Sequence, residues 1–142
     1  MPPSPVTESK DGPSIRRPGR GVKIRILLVD DHAVVRQAMA RLLGAESDLE
    51  VVGEAAAGKI GVDLTKQLQP DIVLMDINMP VLNGMEATQQ IRAECPGVQV
   101  IGLSMFGAAE QADAMRNAGA VAYVSKAAPA EELLAVIRSA VR

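Results

Sequence analysis

Five short apolar runs, each ended by a polar residue and followed by a helix-spaced stretch, constrain this chain more than any other feature. The first run is Ile24, Ile26, Leu27, Leu28 and Val29, and it stops at Asp30 and Asp31. Unbroken apolar runs of this length suit strands buried on both faces of a parallel sheet. Val35, Met39, Leu42 and Leu43 then recur at helical spacing, up to a stop at Gly44. The cycle repeats. Residues 51–54 form a second, weaker strand, and Ile60, Leu64 and Leu68 mark a second helix, weakened by Gly61 and ended before Pro70. Residues 72–75 form a third strand ended by Asp76, with a helix over 85–93. Val98, Val100, Ile101 and Leu103 make a fourth strand ended by Ser104, with a helix over 108–118 and Gly119 as its stop. Residues 121–124 form a fifth strand, followed by Ser125 and Lys126. Pro129 stands near the start of a fifth helix through Leu133, Leu134 and Ile137, where a missing N–H costs nothing. Five strand–helix units in about 120 residues predict an open parallel α/β sandwich with right-handed crossovers.

The residues before this pattern differ in kind. Five of the nine prolines lie there (Pro2, Pro3, Pro5, Pro13, Pro18), and five cations up to Lys23 face only Glu8 and Asp11, although the whole chain carries −2. Such a segment buries too little apolar area to offset its ordering entropy. Residues 1–22 therefore read as a flexible, basic, proline-rich tail or linker, and residues 23–142 as the folded domain. With one Phe, one Tyr and no Trp, a stacking platform for single-stranded nucleic acid is hard to support, and the basic cluster before Lys23 reads as a solubilising linker ahead of a contact with nucleic acid or an acidic partner. Cys95 is the only cysteine, which rules out an internal disulfide and suits a reducing compartment. No apolar run approaches the roughly 18–20 residues of a membrane span, and no signal peptide stands at the start. The expected location is the cytoplasm.

In open α/β sheets, ligands bind at the carboxyl ends of the strands. There the sequence puts Asp30 and Asp31, Asp76, Ser104 and Lys126 on one rim. Each has a plain structural reading by itself: Asp31 as a cap of the first helix, Asp76 as a turn residue, Ser104 as a loop hydroxyl, Lys126 as a solvated cation. Together they mean more, because three clustered carboxylates raise one another's pKa unless a cation neutralises them. Mg²⁺ with one or two carboxylates and several waters is the natural partner. With Lys126 as a point charge and Ser104 as a donor, the set resembles a phosphoryl site in which a carboxylate is the nucleophile. Two acids after the first strand speak against dinucleotide binding, which needs glycines there. No Walker-type lysine loop is present. His32 and Cys95, each the only residue of its type, leave no zinc cluster and no Ser-His-Asp arrangement.

Ile26 to His32 (Ile-Leu-Leu-Val-Asp-Asp-His), Asp71 to Pro80 with Gly84, Leu103-Ser-Met105, and Gly119 to Lys126 resemble the receiver domain of two-component response regulators. The resemblance covers about Lys23 to Val141. The Asp-Asp-His and Leu-Ser-Met details, with Glu131-Glu132-Leu133-Leu134, are most similar to the NarL/FixJ-type subgroup. It implies a CheY-like, flavodoxin-like fold: a three-layer α/β sandwich with five parallel strands in the order 2-1-3-4-5 and five helices. Asp76 matches the phosphoacceptor. Asp31 and Asp76 match direct Mg²⁺ ligands, Asp30 holds the ion partly through water, and the Asn78 backbone carbonyl completes the site. Ser104 matches the switch hydroxyl, Lys126 its paired lysine, and Tyr123 the aromatic switch. Met79, Pro80 and Gly84 match the loop after the phosphoacceptor strand. The implied activity is Mg²⁺-dependent acceptance of a phosphoryl group from a sensor histidine kinase or a phosphotransfer domain, followed by a change in the face made by the fourth helix, fifth strand and fifth helix. This is a signalling phosphoacceptor rather than an enzyme, with autodephosphorylation as its reset. The same face is where a phosphorylation-dependent homodimer would form. Neither direct DNA binding nor membrane binding is implied for this chain, which suits a stand-alone receiver, the terminal receiver of a hybrid kinase, or a receiver whose fused output domain lies outside it.

Ala127 stands where many receivers have proline, so the Lys126–Ala127 bond is expected to be trans, or cis under strain. Met105 and Phe106, both bulky, either narrow access to the phosphoryl group or, for Met105, fill the core. Two other functions compete. A haloacid dehalogenase-type phosphatase needs a second acid two residues after its nucleophile, and Asn78 stands there. A phosphorylation-independent interaction module would be expected to lose acid-pocket residues, and all are present.

Overall fold

The computed structural model describes residues 22–79, 82–105 and 109–141. The elements alternate without interruption: β1 (Ile24–Val29), α1 (Ala33–Gly44), β2 (Leu49–Ala55), α2 (Gly58–Leu68), β3 (Ile72–Asp76), α3 (Gly84–Glu94), β4 (Gln99–Ser104), α4 (Ala109–Ala118), β5 (Ala122–Ser125) and α5 (Ala130–Ala140). The strands form one parallel sheet in the order β2-β1-β3-β4-β5. This is the expected order. The tail expected over residues 1–22 lies, apart from Val22, outside the described residues, as do Pro80, Phe106 and Ala108, the expected first residue of the fourth helix.

Alternation along each strand splits the apolar side chains into two cores. Leu27, Val29, Val73, Met75 and Val100 point to one face and pack with Val62 of α2, Ala87 and Ile91 of α3 and Met115 of α4. Ile26, Leu28, Ile72, Leu74, Ile101, Leu103 and Val124 point to the other and pack with Leu43 of α1 and Leu133 and Ile137 of α5. Helices thus cover both faces, which is why β3 is buried at all five positions.

Several boundaries differ from the sequence pattern. β2 extends two residues earlier and one later than expected, because Leu49 and Ala55 are buried at its ends while Glu50 and Glu54 face solvent. Gly61 is a requirement of packing rather than a weakness: a Cβ there would stand 2.8 Å from both methyls of Val29. α3 begins at Gly84, one turn position before Met85, because Asn83 caps it. The Asn83 side chain accepts the Glu86 N–H at 2.9 Å, and the Glu86 side chain accepts the Asn83 N–H at 3.1 Å. Val121 lies outside β5, and Pro129 is the residue capping α5.

Candidate functional site

The parallel pairing of Val29 with Met75 brings the carboxyl ends of β1 and β3 side by side. Asp30 and Asp76 follow these partners and are 2% and 1% exposed. Carboxylates so buried are costly unless donors or cations compensate them. Asp30 Oδ1 accepts the His32 backbone N–H at 2.8 Å, and Asp76 Oδ1 accepts the Asn78 backbone N–H at 3.0 Å. Lys126 Nζ lies 2.7 Å from Asp30 Oδ2 and 3.3 Å from Asp76 Oδ2, with its side chain only 3% exposed. Its backbone N–H donates to the Ser104 carbonyl at 2.6 Å, which seats the turn after β5 against the end of β4.

One ammonium does not balance this set. Asp30 Oδ2 and Asp76 Oδ2 are buried and have the Lys126 ammonium between them as their shared cation. Burial pushes the Asp76 carboxyl above its ordinary range and the Asp30 charge adds to this, while the Asn78 N–H and Lys126 pull against it. Asp31 does not cap α1. The capping position belongs to His32, and no side chain makes the cap hydrogen bond. One donor atom each from Asp30, Asp31, His32 and Asp76 lies within 4.8 Å of the others. Two buried carboxylates that share one ammonium, beside a partly exposed third, fit a hard dication that keeps some of its waters.

The N-terminus of α3 closes the floor of the pocket. A Cβ at Gly84 would collide with the Asp76 carbonyl oxygen and Ile77 Cα, so glycine lets the helix approach the end of β3. Gly84 N–H donates to the Ile77 carbonyl at 3.2 Å, and Ile77 N–H to the Leu103 carbonyl at 3.0 Å. Asn78, whose carbonyl the resemblance assigns to the metal, is exposed, and Met79 is buried.

The far half of the rim is neutral. Ser104, the last residue of β4, is 1% exposed. Its hydroxyl donates to Gln111 Oε1 of α4 at 3.2 Å. The Tyr123 hydroxyl of β5 donates to the same oxygen at 3.3 Å. The Tyr123 ring is half-buried against the α2–α3–α4 core, next to Gly102, where a Cβ would stand 2.8 Å from Met115 Cε and 3.4 Å from the ring. Met105 is 47% exposed, so it does not belong to the core. Among the described residues there is no cis peptide bond, and Lys126–Ala127 is trans.

All the rim residues read from the sequence thus meet at one end of the sheet. Two that matter to it were not read. Gln111 joins the two hydroxyls, and no local motif marks it. Arg36 donates from Nη1 to the Asp30 carbonyl at 2.7 Å and pairs through Nε with Glu54 of β2 at 3.0 Å, with its side chain 15% exposed. It ties the loop carrying the acids to the neighbouring strand. Position 36 looks like an ordinary helix-surface arginine in the sequence, and only the strand order reveals Glu54 beside it.

Residues 26–138 match the response regulator receiver domain family. The chain is 42% identical over 117 residues to the transcriptional regulatory protein LiaR of Bacillus subtilis (strain 168), covering 82% of this chain and 56% of that one. It is 36% identical over 119 residues to the response regulator protein VraR of Staphylococcus aureus (strain NCTC 8325 / PS 47), covering 84% and 57%. The chain therefore spans a little over half the length of these curated relatives. Among solved structures, it is similar to a LuxR-family two-component response regulator from Aurantimonas sp. SI85-9A1 (TM-score 0.79, 35% identity, 82% of this chain and 84% of that one). The response regulator domain of Thermotoga maritima CheB is also similar (TM-score 0.76, 37% identity, 84% and 96%). Their fold is the CheY-like, flavodoxin-like arrangement described above. The order of the strands, the acids gathered at their carboxyl ends and these relatives agree: the chain belongs to the response regulator receiver domain family of two-component systems, among its NarL/FixJ-type members.

Proposed function

We propose that Asp76 is the phosphoacceptor, Lys126 its charge partner and Ser104 the hydroxyl that follows the phosphoryl group. The observation that carries this reading is the crowding at Asp76: a buried carboxylate at a strand end, 3.3 Å from an equally buried ammonium. In the proposed transfer, an Asp76 oxygen bonds to phosphorus as the phosphorus–nitrogen bond of a donor phosphohistidine breaks. The donor imidazole keeps the electron pair and takes up a proton. Lys126 holds a phosphoryl oxygen, and Ser104 leaves Gln111 to donate to another. Asp30, Asp31 and Asp76, with the Asn78 carbonyl, would hold Mg²⁺. When bound, that ion neutralises the charge gathering between carboxylates and phosphoryl oxygens.

The acyl phosphate adds negative charge and acceptor oxygens. Departure of the Ser104 hydroxyl leaves Gln111 joined to Tyr123 without its tie to β4, and the surface of α4, β5 and α5 changes with it. The donor is a sensor histidine kinase or a phosphotransfer domain in the cytoplasm. Among the described residues no helix is long and apolar enough to cross a membrane. The protein turns over only by losing its own phosphoryl group.

Incubation with Mg²⁺ and acetyl phosphate, followed by intact mass, tests the reading. A single phosphoryl adduct is expected in the native sequence and none in Asp76→Asn. An adduct that persists in Asp76→Asn assigns the acceptor elsewhere.

A further inference from the structure

α4 meets the neutral half of the rim at two levels. Gly102 pairs with Tyr123 in the parallel register and stands two residues before Ser104, so alternation puts Gly102 and Ser104 on one face of the sheet. The space over Gly102 is taken by two side chains: a Cβ there would stand 2.8 Å from Met115 Cε and 3.4 Å from the Tyr123 ring. Met115 is fully buried in the same core that the ring packs against. Gln111 lies one turn before Met115, at the spacing that puts both on one side of α4. Met115 therefore shares the Gly102 site with the ring, and Gln111 meets the ring's hydroxyl. At this polar end the protons are few. Each hydroxyl carries one, and both Ser104 and Tyr123 donate to the same oxygen, Gln111 Oε1, at 3.2 and 3.3 Å. A proton given to Gln111 is not given to an oxygen at the rim, so the Ser104 bond stands only while Ser104 does not serve a phosphoryl group.

We propose that Gln111 is a latch: it stabilises the unphosphorylated arrangement of Ser104 and Tyr123 and so opposes capture of a phosphoryl group at Asp76. The inference rests on the roles given above to Asp76 and Ser104. A contact made in only one of two states shifts the balance between them by its own strength, so the latch sets how far the resting domain resists phosphorylation. Both of its bonds are neutral and longer than the usual oxygen–oxygen hydrogen bond, so the resistance is one that a phosphoryl charge overcomes. Gln111 is a positioning residue, because it acts through Ser104 rather than on the reacting atoms.

The test titrates the full chain, in Mg²⁺, with beryllofluoride as the phosphoryl mimic and reads the bound fraction by fluorine NMR. Gln111→Met keeps the length and helix propensity of the side chain and removes the acceptor oxygen. The half-saturating concentration should fall about three- to tenfold, and Gln111→Ala, which removes the same oxygen, should lower it to a similar degree. In a Ser104→Ala background the Gln111→Met change should move it less than about twofold, since the bond it acts through is already gone. A half-saturating concentration that is unchanged or raised in both Gln111 variants overturns the inference. An equal fall with and without the Ser104 hydroxyl also overturns it, and assigns the effect to a loosened α4. Either result leaves Asp76 standing as the acceptor. Beryllofluoride binding that is absent from the native protein, or that survives Asp76→Asn, overturns the Asp76 reading and the latch with it.

Discussion

At the ends of β1 and β3 the groups are charged, buried and crowded; at the ends of β4 and β5 they are neutral and loosely joined. Asp30, Asp76 and Lys126 lie within 2.7–3.3 Å across their ion pairs, and their side chains are at most 3% exposed. Ser104 and Tyr123 share one amide oxygen at 3.2 and 3.3 Å, on a helix whose Gln111 is only half-buried. Charges in a low-dielectric pocket interact strongly, whereas a neutral hydrogen bond contributes only about 0.5–1.5 kcal/mol net. A charge added to the first half can therefore override the bonds of the second.

The comparison breaks most visibly at Lys126. Lys126→Ala leaves two buried carboxylates without their cation, and the Mg²⁺-free protein should lose roughly 3–5 kcal/mol in urea unfolding. Added Mg²⁺ should restore part of it. A loss below about 1 kcal/mol would mean that the acid half is not held by charge.

Gln111→Ala tests the other half. Only neutral bonds are removed, so the expected cost is about 0.5–1.5 kcal/mol. The Tyr123 ring should nevertheless change its environment, read by tyrosine fluorescence, with no tryptophan to mask it, or by ring proton shifts. A silent Tyr123 would show that the two hydroxyls are not joined through Gln111.

The smallest effect is a dependence on pH. Burial raises the Asp76 pKa above its ordinary 3.8 in the folded protein, so the folded state holds that proton more tightly than the unfolded chain. The resulting stabilisation is fully present below the unfolded value and is lost as pH rises through the raised folded one. Asp76→Asn should therefore gain stability relative to the native sequence as pH climbs from about 3.8 toward neutrality, measured by denaturant midpoints without Mg²⁺. A difference that stays flat with pH would remove burial of this carboxyl as a force in the acid half.

Much of this layout could be read from the sequence, for physical reasons that also explain the misses. β1 and β3 are covered on both faces, so their sequences are apolar runs, interrupted only by Arg25 in β1, that end where the rim begins. The topology then brings Asp30, Asp76, Ser104 and Lys126 together without any knowledge of side-chain contacts. β2 is an edge strand with exposed Glu50 and Glu54, and its pattern shrinks to a central few residues. The start of α3 did carry a local signal, since Asn83 and Glu86 have the spacing of a capping box. Gly61, Arg36 and Gln111 carried none. Their partners are Val29, Glu54 and the Ser104–Tyr123 pair, and those neighbours exist only after the chain has folded.

The division of the apolar residues into two cores has a mechanical consequence. Tyr123 and Val124 are adjacent in β5 but belong to opposite layers. A turn of the Tyr123 ring bears directly on the compartment under α2, α3 and α4, and reaches α5 only through the backbone of β5. The α4 side of the sheet therefore meets the ring itself, and the α5 side meets only the strand that carries it.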